Sequence, residues 1–172
     1  MFPRCWRREL NEDDMLFLAI VAVAATVVGP LQVGENRRSV VDALGPGLRS
    51  QVCNVGNGNV SDGRCVPTLT YCGSDGFQVT VRFSSEYVDD IRIRSTPARC
   101  IGARLMPGWS HLGAWHWAGG RVDAARVPAP SAGWVRSGNV PGEWAFESST
   151  VPGLFVSAKN RRGRTNFDMT RI

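Results

Sequence analysis

Lysine is almost missing from this chain: Lys159 stands alone among 20 cationic residues, and the other nineteen are arginine. A nucleic-acid groove usually mixes both types along a stripe or helix. Here the arginines accompany abundant Gly, Ala, Pro and Trp, the profile of a GC-rich coding sequence, so no nucleic-acid partner is expected. Histidine is equally scarce, with only His111 and His116, and no Cys-x-x-Cys occurs. A zinc site therefore lacks its usual donor set, and nothing nearby in sequence gives the two histidines a third ligand. Gly-x-Ser-x-Gly, phosphate-loop and dinucleotide glycine motifs are absent as well, and the adjacency Ser110-His111 does not make a catalytic triad. The expectation is a protein that is not an enzyme and has no metal and no cofactor.

What is present fits one domain with a leader or tail: 172 residues, 43% of them hydrophobic, with 19 Gly and 10 Pro. That many helix breakers predicts strands and loops. The net charge of +5 is uneven, because residues 1–100 carry 11 basic and 11 acidic side chains whereas 101–172 carry 9 and 4.

One apolar run stands out, Met15 to Val28, 14 uncharged residues ended by Gly29-Pro30. A membrane-spanning helix needs roughly 18–20 apolar residues and a secretory signal about 7–15, so residues 1–29 read as a signal peptide or signal anchor. Arg4, Arg7 and Arg8 give positive charge, but Glu9, Glu12, Asp13 and Asp14 intervene, an objection that initiation at Met15 removes. Ala22-Val23-Ala24 fits the small-x-small cleavage pattern, and Val27-Val28-Gly29 fits it more loosely. The rival readings are an uncleaved segment over 15–33 that contacts the membrane, and a buried core helix.

Cys5 precedes this run, and Cys53, Cys65, Cys72 and Cys100 follow it, an even number compatible with three pairings. Residues 30–70 form a Gly/Asn-rich loop region, and Asn59-Val60-Ser61 within it is a glycosylation sequon at Asn59. Leader, cysteines and sequon all point to an oxidising, extracellular compartment, with the protein secreted or anchored facing outside. A short helix is expected around Ser39 to Leu48, with Val40, Val41, Leu44 and Leu48 on one face.

The clearest periodicity is Phe77-Gln78-Val79-Thr80-Val81-Arg82-Phe83-Ser84, which alternates apolar and polar throughout and predicts a half-buried strand. Asp89-Asp90 reads as a turn, and Ile91-Arg92-Ile93-Arg94 as a second strand. With Tyr71-Cys72-Gly73-Ser74 before them and Ser95-Thr96-Pro97-Ala98-Arg99-Cys100 after, these residues resemble the opening of a zona pellucida module, its N-terminal immunoglobulin-like half. The resemblance covers about 30 residues. It implies a small disulfide-stapled antiparallel β-domain, mainly β, with a partial unit at 71–105. In that family Cys72 and Cys100 would be the first two of four cysteines, pairing first with fourth and second with third. No cysteine follows Cys100, so Cys53–Cys65 with Cys72–Cys100 is the simplest alternative pairing.

Residues 106–172 hold Trp109, Trp115, Trp117, Trp134 and Trp144 among Gly and Arg. Trp115 and Trp117 on an extended strand share one face with His116 opposite, making either a core layer or, with Trp109, a stacking platform for a sugar ring. The stretch 118–153 shows no sustained period and reads as irregular, and Arg161-Arg162-Gly163-Arg164 as a solvated basic tail or processing site. Two functions follow as expectations. The first is protein–protein association in an extracellular matrix or egg-coat-like assembly, with other extracellular proteins or with itself, through sheet edges. The alternative is a carbohydrate-binding β-domain using Trp109, Trp115 and Trp117.

Overall fold

The computed structural model describes residues 26–53, 65–95, 104–106, 108–123, 133–137 and 143–172. The chain is mainly β and antiparallel. A hairpin of β1 (Val27–Val28) and β2 (Leu31–Gln32) leads into helix α1 (Arg37–Leu44). Then come β3 (Leu48–Cys53), β4 (Cys65–Cys72), β5 (Phe77–Ser84) and β6 (Tyr87–Ser95). After β7 (Arg104–Leu105), a 3-10 turn at Leu112–Ala114 precedes a tiny hairpin of β8 (His116–Trp117) and β9 (Gly120–Arg121). The chain closes with β10 (Trp134–Arg136), β11 (Glu143–Ser148), β12 (Leu154–Arg161) and β13 (Arg164–Arg171).

Two meanders build one sheet, in the order β10-β11-β12-β13-β6-β5-β4-β3, with β7 added parallel to β4. They meet where β13 pairs with β6, placing Phe167 opposite Ile93 and Met169 opposite Ile91. The single continuous sheet corrects the immunoglobulin-like expectation, since that fold packs two sheets face to face. It also corrects the 71–105 unit and the irregular C-terminal region. β4, β5 and β6, with β3 at the edge, form one half of the sheet, and β10 to β13 form the other half.

Side-chain alternation gives the sheet two unlike faces. Leu69, Tyr71, Phe77, Val79, Val81, Phe83, Ile91, Ile93, Val156, Phe167 and Met169 all point to the buried side, each no more than 2% exposed. α1 and the segment 104–123 pack on that side. Asn36 caps α1 by accepting the Arg38 N–H at 2.9 Å, and Gly45 ends it at φ 80°, where Gly45-Pro46-Gly47 in the sequence stops the helix short of Leu48. Val40 and Leu44 are the buried pair, as the helical spacing predicts. Trp115 meets Phe77 edge-on at 6.1 Å, while Trp117 lies 5.2 Å from Trp134, 5.8 Å from Phe146 and 5.9 Å from Phe167. A sheet this wide has a broad apolar face to cover, and indole rings cover it with few residues.

Local corrections have local causes. β5 runs over the span that its alternation predicts, but the turn after it is Ser85-Glu86, with Ser85 at φ 59°. Asp89 and Asp90 therefore lie inside β6. Arg161-Arg162-Gly163-Arg164 is the β12–β13 hairpin turn, with Arg161 opposite Arg164, Arg162 at φ 53° and Gly163 at φ 75°. Two successive left-handed residues match the right-handed twist of the flanking strands, so the tetrapeptide is a hairpin turn and not a tail. The end of the apolar leader is β1, not helix: Val28 is fully buried, and the rest of the leader, to Ala25, lies outside the described residues.

Candidate functional site

The second face of the sheet is polar, and its side chains stand in cross-strand rows. One row runs Thr68, Arg82, Asp90, Thr170. The next runs Thr70, Thr80, Arg92, Asp168, Ser157, Ala145, and a third Gln78, Arg94, Asn166, Lys159, Glu143. Opposite charges placed directly across strands attract, so these rows hold the sheet in register from its wet side.

Asp90 is the anchor of the network, 1% exposed. Thr170 Oγ1 donates to its Oδ1 at 2.7 Å and Arg92 Nε to its Oδ2 at 2.7 Å, with Arg82 Nε a further 3.8 Å ion-pair contact. A buried carboxylate persists as an anion only when paired in this way. Arg82 Nε donates to Asp89 at 3.1 Å, so each neighbouring charge is engaged.

Asp168 is held differently. Its Oδ1 sits 3.5 Å from Arg92 Nε but is buried with no hydrogen-bond partner among the described residues. Burial raises its pKa above the ordinary 3.8, against the pull of Arg94 and Arg92 and with help from the Asp90 charge. It lines a groove of about 170 Å³ with Ser157, Asn166, Glu143 and Lys159, the last two forming an ion pair across β11 and β12. The groove offers fixed charges of both signs and one idle acceptor, a surface suited to a partner's hydrogen-bond donors.

The sheet edges differ. β10 is three residues long, with Val135 61% exposed and Arg136 at its end. β3 has six residues, Leu48 to Gln51 are exposed, and among the described residues no strand pairs with its outer side. A longer edge without proline or lysine is the more open template for an added strand.

Cys65 and Cys72 are each half of a disulfide. They end one eight-residue strand, some 23 Å apart at about 3.3 Å per residue, so they do not bond to each other. Cys53 stands opposite Cys65 in the β3–β4 register. Cys100 and Asn59 lie outside the described residues, as does Cys5.

The tryptophan platform is corrected by burial. Trp115 and Trp117 are 0% and 1% exposed, so their faces meet the core and not a ligand from solution. His116 does point the opposite way and is exposed, as the strand period predicts. Trp109 is partly buried, and its carbonyl oxygen accepts a hydrogen bond from the Trp115 indole N–H at 3.1 Å. A surface depression of about 490 Å³ lies beside Trp109, His116 and Val27. His111 and His116 serve separate local bonds. His111 Nδ1 is 3.4 Å from Ser74 Oγ, and His116 Nδ1 is 3.1 Å from the Ala114 carbonyl. The Ser74–His111 proximity escaped sequence reading because 37 residues separate the two. Asp75 is occupied by the Leu112 N–H at 3.0 Å, and Ser74 N–H donates to the Ser110 carbonyl at 2.7 Å, so this cluster clasps a turn to a loop.

Comparison with known proteins gives no match to a family model, a curated protein or a solved structure. The class of the chain rests on its own fold: among the described residues, one large and mainly antiparallel sheet with open edges, apolar on one face and charge-laddered on the other.

Proposed function

We propose that this chain is a non-enzymatic extracellular association module, secreted or membrane-attached, that binds partner proteins or copies of itself by adding a strand along β3. The observation that carries the reading is the open six-residue edge of β3 beside β4, a strand with a half-cystine at each end. Main-chain hydrogen bonds supply affinity in strand addition, and exposed side chains such as Leu48, Arg49 and Gln51 supply selectivity. Cystines persist in oxidising compartments, which agrees with the leader and the Asn59 sequon. The register of Cys53 with Cys65 favours the pairing Cys53–Cys65 with Cys72–Cys100. The likeness to the opening of a zona pellucida module is confined to the β5–β6 hairpin and its flanking cysteines, and a matrix or egg-coat-like filament is the assembly it suggests. The sugar-binding alternative is left with Trp109 and with the edge of Trp117, which is 1% exposed, at the depression that both line.

Intact and peptide mass spectrometry of the secreted full chain, without reduction, tests the compartment and the pairing together. The expected product is glycosylated at Asn59 with those two disulfides. An intracellular product with free thiols overturns the reading.

A further inference from the structure

The charge ladder is balanced along most of its length and unbalanced at one corner. Arg82 pairs with Asp89, Arg92 with Asp90, and Lys159 with Glu143. Arg94, Arg162 and Arg164 are exposed, and among the described residues none of them has a carboxylate in ion-pair contact. The register gathers them. Asn166 of β13 stands between Arg94 of β6 and Lys159 of β12, and Arg164 precedes it by two residues on the same face. Neighbours across strands are about 5 Å apart and same-face neighbours along one strand about 7 Å, so these cations surround Asn166 within reach of one ligand. Arg162 follows at the hairpin tip, held there at φ 53°. The chain leaving β6, residues 96–103, and the chain joining β10 to β11, residues 138–142, contain no Asp or Glu, so neither can neutralise the corner. A sheet that pairs its other ladder cations is thus left with excess positive potential at one place, which attracts an anion.

Beside this corner lies the groove of about 170 Å³ lined by Asn166, Lys159, Glu143, Ser157 and Asp168. It exists because the row from Asp168 continues into Ser157 and Ala145, whose short side chains leave space between larger neighbours. Lys159 and Asn166 donate into it, Asp168 and Glu143 accept, and Ser157 does both. The hydroxyls of a sugar ring need that mixture, whereas the two carboxylates repel a bare phosphate chain. A nucleic-acid base also lacks a ring to stack on. Trp144 stands opposite Ala158 in the register, packed on the core side with it.

The geometry points to a binding site for a sulfated polysaccharide on the face opposite the buried tryptophans, with one sugar ring in the groove and its sulfate groups on Arg94, Arg162 and Arg164. Guanidinium forks grip tetrahedral oxyanions through paired N–H donors, which a lysine ammonium does not. Asp168, Asn166 and Ser157 take the ring hydroxyls. The position of these arginines, and not their number in the chain, carries the argument. Sulfated polysaccharides are met outside cells, so the ligand class rests on the extracellular reading, while the site itself is separate from the β3 edge.

The test is calorimetric titration of the purified full chain with a heparin oligosaccharide, beside inorganic polyphosphate and single-stranded DNA of matched charge. The variants are Arg94→Ser, Arg164→Ser and Ser157→Tyr, each at an exposed position. The expected result is that heparin binds more tightly than the other two polyanions and that each arginine variant loses about tenfold in affinity, with the circular dichroism spectrum kept. Ser157→Tyr fills the groove and should bring heparin down to the level of polyphosphate. Absence of heparin binding, equal affinity for all three polyanions, or full affinity in the arginine variants overturns the site. The titration does not depend on secretion, so its failure leaves the mass-spectrometric test of the compartment standing, and an intracellular product with free thiols overturns the compartment without touching the measured affinities.

Discussion

Gly29 shows how closely the residue scale is set by the core. A methyl group there meets the Trp115 ring at 2.6 Å, and the ring, 0% exposed, has no room to retreat. Overpacking and the left-handed backbone add, so Gly29→Ala is expected to lose about 2–4 kcal/mol, read as a lower midpoint in urea unfolding. Tyr71 offers the opposite case. Burial pushes its phenol up to about 12, against the nearby Arg37 charge and the Gly47 backbone, and among the described residues the hydroxyl meets no partner in good hydrogen-bond geometry. An unmade hydrogen bond costs more than a missing hydroxyl, so Tyr71→Phe is expected to hold or raise stability by up to about 1 kcal/mol. A loss of 2 kcal/mol or more on thermal unfolding would mean that the hydroxyl is bonded after all. Asp168 carries a pH signature. Its folded pKa lies above the ordinary value of 3.8, so the native state keeps a proton that the unfolded chain has released. Stability is then greatest below about pH 4 as far as this group is concerned, and declines as pH rises through the folded pKa. Asp168→Asn should flatten that decline and raise Tm at pH 7; a lower Tm there would show that the Arg92 contact outweighs burial.

At the scale of elements, legibility followed locality. β5 announced itself because Phe77, Val79, Val81 and Phe83 are large and unbroken in period, and α1 because Val40 and Leu44 precede a Gly-Pro-Gly stop. β12 and β13 carry the same period more quietly. Ala158 and Thr165 occupy buried positions where a larger apolar residue would have made the alternation plain, and the turn is Arg162-Gly163 in place of the usual Asn-Gly. Asp90 could not be placed from its neighbours, since the threonine that satisfies it is 80 residues away. The same non-locality hid the charge ladder and the β3 edge, which exist only once strands are ordered side by side. The edge makes its own prediction. Leu48→Lys combined with Gln51→Lys changes exposed side chains only and sets two charges along β3. Self-association followed by sedimentation velocity should weaken at least tenfold while the circular dichroism spectrum is kept; unchanged association would place the contact elsewhere.

For the whole molecule, the joining of the two meanders decides what can fold alone. β6 contributes Ile91 and Ile93 to the core, and their cross-strand partners are Met169 and Phe167 of β13. Trp115 and Trp117, which cover that same face, lie beyond β7 in sequence, so a chain ended at residue 105 loses both its lid and half its sheet. What remains would expose Phe77, Val79, Ile91 and Ile93 to water and leave the inner edge of β6 unpaired. The β5–β6 hairpin therefore depends on the C-terminal strands for its core. Residues 25–105, produced alone under oxidising conditions, should show no cooperative thermal transition and should bind a hydrophobic dye, whereas residues 25–172 unfold in one step. A sharp transition in the shorter chain would restore an autonomous N-terminal unit, and the C-terminal strands would then be an attachment to it and not its second half.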